Sequence, residues 1–149
     1  MKPASENKAQ HLPTLRKLRG YSFDPSLSAK PETASINERI YTVPWEELRP
    51  GPVGEYVEVI DVDPASNCFY EPVDLDQPHL LAQDGLAASA ANPQFHQQMV
   101  YAVVMTTIKS FERAFGRPVM WPDLTPDEIG KSYANITPAD WEKTYVQRL

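Results

Sequence analysis

Cysteine is nearly absent from this chain, which has Cys68 alone among its 149 residues. A single thiol excludes an intramolecular disulfide, and a lone cysteine is typical of proteins from a reducing compartment. Long apolar runs are missing as well. The most apolar stretch, residues 99–108, falls well short of the ~20 residues that a membrane-spanning helix needs. The sequence therefore predicts a buried helix at that place and no transmembrane segment.

A secretory signal is also not evident, because the basic N-terminal residues are followed by no apolar core. We therefore expect a cytoplasmic protein. Basic residues are outnumbered, with 14 Lys and Arg against 20 Asp and Glu, for a net charge of -6. Nucleic-acid binding requires clustered cations that displace counterions from phosphates, so this function class is excluded.

The basic residues Arg16, Lys17 and Arg19 lie close together near the N-terminus. They suit an anion or partner contact, or a solvated face of the protein, and the solvated face is the favoured interpretation. Membrane association has no comparable signal.

Proline is abundant, with 15 residues, about twice the usual ~5%. Pro25 and Pro31 interrupt any helical period, so we expect residues 1–35 to form a largely irregular N-terminal arm with at most a short helix over 14–19. Residues 36–149 are expected to form a single α+β domain that is incomplete at its C-terminus.

The strand signals lie in the first half of that domain. Residues 36–43 are rich in β-formers and end at a proline, which predicts a strand. Residues 55–63 carry apolar side chains on both faces, which predicts an interior strand. After a turn, residues 68–70 are expected to return as the second strand of a hairpin. Residues 74–92 lack steady periodicity and predict a long surface loop.

The clearest predicted element is a helix over 93–115. Asn92 is a good N-cap, Pro93 suits the first helical position and Gly116 is placed to end the helix. Its middle is apolar on nearly every side, which predicts apolar surface that other elements of this small chain leave uncovered.

Two short C-terminal helices follow from capping residues at Thr125 and Thr137. The last of them would place Trp141, Tyr145 and Leu149 at i,i+4 spacing. The expected architecture is a small antiparallel β-sheet or hairpin packed on one long central helix.

Catalytic motifs are missing. A zinc peptidase needs two histidines one turn apart with a glutamate between them, in the spacing HExxH, whereas His11, His79 and His96 lie far apart. Cys68 with His79 or His96 would form a nucleophile and base if folding brought them together. The alternative, which we favour, is a small buried apolar residue at position 68 and a hydrogen-bonded structural histidine at position 96.

The remaining candidates are also weak. Asp61, Asp63, Asp74 and Asp76 bracket the predicted hairpin and would suit Ca²⁺ or Mg²⁺ if clustered, but the EF-hand order fails and solvated loop acids are favoured. Asn135 begins a formal glycosylation triplet, which we discount without a secretory route. The residues therefore predict no catalytic, cofactor-binding or metal-binding position.

Two long segments of the sequence resemble a known protein family: GPVGEYVEVIDVDPASNCFYEPVDLDQPHLLAQDGL and NPQFHQQMVYAVVMTTIKSFERAFGRPVMW. Residues 21–121 resemble the non-catalytic N-terminal region of bacterial gluzincin-type, thermolysin-like zinc metallopeptidases. The resemblance implies that helix 93–115 is similar to the long helix beside the active-site helix. It also implies that the zinc ligands and glutamate base lie downstream, so zinc is expected only with a downstream catalytic region.

Three functional hypotheses follow. The leading one is an N-terminal scaffold segment of a gluzincin-like metallopeptidase that lacks the HExxH half and is inactive by itself, with that missing catalytic domain as its partner. The alternative is a stand-alone protein-binding module that uses the flank of helix 93–115 and the loop 74–92. A small enzyme that uses Cys68 and a histidine is the third and least favoured.

Overall fold

The computed structural model describes residues 13–63, 65–66, 68–122 and 145–146. The predicted α+β class is confirmed by small antiparallel sheets, short helices and one long helix. The strands are β1 (Leu15–Tyr21), β2 (Glu38–Pro44), β3 (Val62–Asp63), β4 (Cys68–Phe69), β5 (Trp121–Pro122) and β6 (Tyr145–Val146). The helices are a 3-10 helix (Pro25–Ala29), α1 (Pro31–Asn37), α2 (Pro78–Ala82) and α3 (Pro93–Phe115). In this part of the chain, no helix has the length and apolarity to cross a membrane.

The main sheet is the hairpin of β1 and β2, which pair antiparallel from Leu15 with Pro44 to Tyr21 with Glu38. The predicted strand over 36–43 is confirmed, with bounds shifted to β2. The helix expected over 14–19 is wrong, because buried and exposed side chains alternate along β1 with the period of a strand. Pairing with a distant strand overrode local helix propensity, which is a weak prior.

Much of the N-terminal arm that was predicted to be irregular, residues 1–35, has regular secondary structure. Residues 15–35 contain β1, the 3-10 helix and most of α1. Asn37 fixes this region: its side-chain Nδ2 donates to the Asp24 carbonyl at 2.9 Å, and its Oδ1 accepts from the Phe23 amide at 2.9 Å. The prediction missed this order because a buried amide side chain, rather than an apolar period, organises the segment.

The interior strand expected over 55–63 is wrong, since only β3 at its end is a strand. Proline and glycine at 50–54 let the chain fold back on itself, and Gly54 and Val59 donate to the carbonyls of Val57 and Pro52 at 2.8 and 3.0 Å. Residues 55–60 therefore bond to the preceding loop. The predicted hairpin is confirmed in a short form, because Val62–Asp63 pair antiparallel with Cys68–Phe69.

Two further predictions need correction. The loop expected over 74–92 contains helix α2, whose Leu80 is buried. Tyr145 was expected in a helix, but Tyr145–Val146 form β6 and pair antiparallel with β5. Such non-local pairing leaves no trace in i,i+4 spacing. The helices predicted from Thr125 and Thr137, as well as His11 and Asn135, lie outside the described residues.

Helix α3 has the predicted bounds. Asn92 caps it, with its side-chain oxygen accepting from the Gln94 amide at 3.0 Å. Gly116 ends it in the left-handed conformation at φ 68° and donates to the Glu112 carbonyl at 2.8 Å. Both ends are thus set by local chemistry.

The core forms where α3 packs against β1 and β2 and the loops wrap them. Gly20 permits the close approach, because a Cβ there would lie 2.6 Å from the Met99 sulfur and 2.7 Å from the Tyr41 ring. The buried apolar cluster consists of Leu18, Val43, Leu48, Tyr56, Val57, Val73, Leu75, Leu80, Tyr101, Ala102, Met105 and Ile108.

Arg16 lies inside this core, so the predicted solvated face is wrong for it. The residue is 2% exposed and donates to the carbonyls of Leu75 and Glu46, both at 2.8 Å. It also forms an ion pair with Asp76, and its guanidinium lies 4.3 Å from the Trp45 ring centroid. The neighbouring Lys17 is exposed. The alternation of the strand thus separates the two cations, one inward and one outward.

Two neutral amides on α3 anchor the surrounding loops. Gln97 accepts from the Val73 amide at 2.8 Å, and Gln98 accepts from the Leu86 amide at 2.7 Å while donating to the Arg19 carbonyl at 2.8 Å. Both side chains are buried. Because buried backbone groups need partners, these amides satisfy loop segments that have no ladder of their own.

We predict that Arg16→Ala lowers the free energy of unfolding by about 3 kcal/mol, since it leaves Asp76 and two carbonyls without their cation. Urea denaturation measures the change. Lys17→Ala, on the adjacent exposed position, is the matched control and should change stability by about 0.5 kcal/mol or less. Equal effects of the two substitutions would contradict the structural role of Arg16.

Candidate protein-docking groove

The C-terminal half of α3 carries large apolar side chains that remain exposed. Val103, Phe111 and Phe115 are 37%, 53% and 67% exposed. Phe111 and Phe115 stack with ring centroids 6.0 Å apart and planes 8° from parallel. Uncovered apolar surface on this helix is the feature that its sequence predicted.

These side chains line a groove between α3 and residues 117–120, with a volume of about 460 Å³. We call it the α3 groove. Carbon atoms dominate its walls, and Arg117 is the charged residue among those that line it. Its lining residues are Val103, Val104, Thr107, Ile108, Phe111, Phe115, Arg117, Pro118, Val119 and Met120.

The second wall of the groove depends on the end of α3. The left-handed conformation of Gly116 reverses the chain, so that residues 117–120 return beside the helix. Glu112 holds this return, because its carboxylate accepts from the Val119 amide at 3.1 Å. The other carboxylate oxygen accepts from Lys109 Nζ at 2.7 Å. One anion thus joins the helix to the returning segment.

The electrostatics of this junction favour a charged Glu112 and a neutral Tyr56. Burial raises the pKa of the Glu112 carboxyl, but hydrogen bonds from Lys109, the Val119 amide and Tyr56 outweigh it, so the pKa lies below the ordinary 4.5. Burial and the hydrogen bond to Glu112 raise the pKa of Tyr56 to about 12. Lys109 Nζ also lies 4.6 Å from the Tyr56 ring centroid. At neutral pH the Tyr56 hydroxyl and the Lys109 ammonium therefore both donate to the anionic Glu112 carboxylate.

The chemistry of the groove is that of apolar binding. Its hydroxyl group, on Thr107, donates to the Val103 carbonyl within the helix at 2.8 Å. An apolar groove on a helix, with few polar groups at its edge, suits side chains from another polypeptide segment.

The sequence-predicted histidines and cysteine lie elsewhere. His96 is on α3, and its Nε2 is 2.9 Å from the Ala90 carbonyl, as expected for a structural histidine. His79 is exposed on α2. Cys68 is exposed rather than buried, so that prediction is wrong, and its Sγ lies 3.6 Å from the Ser66 carbonyl. Among the described residues, no hydrogen bond joins Cys68 to either histidine.

Two of the four predicted loop acids accept from neighbouring backbone amides, and the other two contact side chains. Asp63 accepts from the Ala65 amide and Asp74 from the Asp76 amide, both at 3.0 Å, while Asp76 pairs with Arg16. In the described ranges, no group of three or more His, Cys, Asp or Glu side chains is arranged to hold a metal ion. Arg19 and Lys17 take no part in the groove.

Protein-family models, curated proteins and solved structures gave no match to this chain.

Sequence reasoning missed Glu112 and the segment 117–120. The i,i+3 spacing of Lys109 and Glu112 is visible in the sequence and indicates an ion pair. The contact with Val119 is not visible, because it depends on the direction in which the chain leaves Gly116.

We predict that Glu112→Gln weakens the groove wall in a pH-dependent manner. A carboxyl with a depressed folded-state pKa contributes stability above its unfolded-state pKa, here near 4.5, and loses it as pH falls through the folded-state value. The difference in unfolding free energy between wild type and Glu112→Gln should therefore be constant near neutral pH and shrink in acid.

Equilibrium unfolding of both proteins between neutral pH and acid measures this difference, and the amide resonance of Val119 reports the contact directly. Glu32→Gln is the control, since Glu32 is exposed on α1. A difference that does not change with pH, together with an unmoved Val119 resonance, would contradict the role of Glu112.

Proposed function

We propose that this chain is the N-terminal scaffold segment of a gluzincin-like zinc metallopeptidase, and that its α3 groove packs against the catalytic half of that enzyme. The segment is inactive by itself. The catalytic half supplies the HExxH ligands, the glutamate base and the zinc ion, and the scaffold supplies a rigid apolar surface.

The observation that carries this proposal is the exposed apolar flank of α3. The resemblance implies that α3 is similar to the long helix that lies beside the active-site helix in thermolysin-like enzymes. A helix in that place needs an apolar surface facing its neighbour. Burying Phe111 or Phe115 contributes about 2 kcal/mol for each side chain. The α3 groove therefore supplies the surface that such a neighbour would cover.

The construction of the site favours a rigid scaffold. Gly116, Glu112 and Val119 fix the returning segment through backbone and charge-assisted hydrogen bonds. A preformed groove loses less conformational entropy on association than a loose one. Neither wall offers a nucleophile next to a base, and the described residues contain no metal-binding cluster. The chemistry is therefore assigned to the partner.

A stand-alone protein-binding module is the second candidate. The segment 74–92 forms a cleft of about 470 Å³ beside the N-terminal part of α3. Mixed polar and apolar groups line it, including Asp74, His79 and Gln94. This cleft, together with the α3 groove, would serve a partner unrelated to peptidases.

An immunoblot of the native cells tests the proposal first, with an antibody against residues 55–63. The mass of the detected polypeptide, together with its sequence, shows whether these residues belong to a longer enzyme that contains HExxH. A separate chain near 16.8 kDa would require the catalytic half to be a second polypeptide, which the next experiment identifies.

We predict that a photoreactive benzoylphenylalanine at position 111 cross-links to a segment of a polypeptide that carries HExxH and a third zinc ligand. The same group at position 32, exposed on α1, is the control and should give no such product. Peptide mass spectrometry identifies the cross-linked residues in native cells.

A partner without a zinc site would refute the metallopeptidase proposal and favour the stand-alone module. Stoichiometric zinc in the purified chain would refute it as well, because the zinc ligands are assigned to the other half.

As a further check, Phe111→Asp in a chain that carries the photoreactive group at position 103 should reduce the cross-linked product at least tenfold, because a charge at an apolar contact is costly. Arg113→Asp, an exposed change on the same helix, should not.

A further inference from the structure

The two outer edges of the β1–β2 sheet differ in how their backbone groups are satisfied. Outside the ladder, Trp45 donates to the Thr14 carbonyl at 3.0 Å and Ser22 to the Asn37 carbonyl at 2.7 Å. Hydrogen-bonded pairs alternate along an antiparallel ladder. Residues 39, 41 and 43 therefore bond to β1, while the N–H and C=O groups of Glu38, Ile40 and Thr42 point away from it.

The outer edge of β1 is closed at Arg19 and at the Tyr21 amide. Its Arg19 amide donates to the Asp84 carbonyl at 2.8 Å, and the Arg19 carbonyl accepts from Gln98 Nε2 at 2.8 Å. The Tyr21 amide lies 3.2 Å from the Met99 sulfur. Helix α3 and the segment before it thus occupy these backbone positions at the C-terminal end of β1.

The outer edge of β2 is open in the part of the chain that the structure describes. No described residue bonds to the backbone groups of Glu38, Ile40 or Thr42, and β2 has β1 as its one neighbour there. All three side chains are exposed, Ile40 by 50%. An open edge with unpaired donors and acceptors is a template for an added strand.

We propose that β2 pairs antiparallel with β2 of a second copy of this chain, about a two-fold axis through Ile40. This surface is separate from the α3 groove, and the proposal does not rest on the proposed function. The pairing would form about six backbone hydrogen bonds, two at each of three facing pairs.

The register follows from which positions face outward. A two-fold axis that uses all of Glu38, Ile40 and Thr42 must pass through the middle position, Ile40. The exposed Ile40 side chains of the two copies then face each other, and Glu38 faces Thr42 of the second copy. A register centred on Glu38 would instead place two carboxylates opposite each other, which is destabilising.

The other face of the strand is compatible with this register. Arg39 would lie opposite Tyr41 of the second copy. The same pair of side chains is already in contact within one chain, where the guanidinium lies 5.0 Å from the ring centroid. Arginine and tyrosine attract each other through the ring face. The edge thus pairs with itself without opposing like charges and adds a contact between a cation and a ring, and this self-complementarity favours a second copy over an unrelated strand.

Sedimentation equilibrium of the 149-residue chain tests the proposal. The wild type should associate with rising concentration towards twice 16.8 kDa. Ile40→Pro removes an outward N–H without affecting the bonds between β1 and β2. It should raise the dissociation constant at least about tenfold, because each copy loses one donor. Ile40→Thr keeps the outward backbone N–H at position 40 and is the matched control. A wild type that stays monomeric, or an Ile40→Pro variant that associates like wild type, would overturn the proposal.

Cysteine cross-linking tests the register if Ile40→Pro does not fold. In a Cys68→Ser background, Ile40→Cys should form an intermolecular disulfide, because facing residues of an antiparallel pair lie within disulfide reach. Thr42→Cys is the control on the same strand and face. Its two thiols would be offset by about four residues, roughly 13 Å, and should not cross-link. Equal cross-linking at both positions, or none at position 40, would overturn the pairing.

Discussion

The buried guanidinium of Arg16 joins three segments that have no common secondary structure. It lies on β1, bonds to the carbonyls of Glu46 and Leu75, and pairs with Asp76. A cation inside the core is costly unless it is paired and hydrogen-bonded, and these loops supply the carboxylate and the carbonyls that pair with it. Trp45 covers the group from one side. The β1–β2 sheet and the loops that follow it are therefore joined through this one buried cation.

Helix α3 uses its two halves differently. In the first half, Gln97 and Gln98 are buried and bond to loop backbone. In the second half, Phe111 and Phe115 are exposed and the Glu112 junction holds a groove wall beside them. One face of α3, which includes Met105 and Ile108, lies in the core along both halves, and the exposed aromatics lie outside that face.

Among the residues that the structure describes, the α3 groove and the edge of β2 are uncovered for different physical reasons. The groove exposes carbon, whose burial is favourable and largely independent of direction. The edge exposes backbone donors and acceptors, whose pairing is directional and demands a strand in register. A scaffold for a catalytic half would use the α3 groove, and self-association would use the edge of β2. The two proposals can therefore be tested independently.

Local chemistry is sufficient to define several elements of this fold. Asn92, Pro93 and Gly116 set the bounds of α3, because capping and a left-handed end require particular residues at particular positions. The α+β class, β2 and the short hairpin of β3 and β4 followed from propensity and turn residues. The apolar excess of α3 indicated uncovered surface.

Other features depend on contacts between residues that are distant in the chain. β1 is a strand because it pairs with β2, although its sequence suggested a short helix. Residues 55–60 bond to the loop before them, although their apolar pattern suggested an interior strand. Arg16 is buried while Lys17 is exposed, because the register of β1 turns one inward. The groove wall exists because Val119 returns to Glu112. Residue spacing does not predict such contacts, because they depend on the path that the folded chain takes between distant segments.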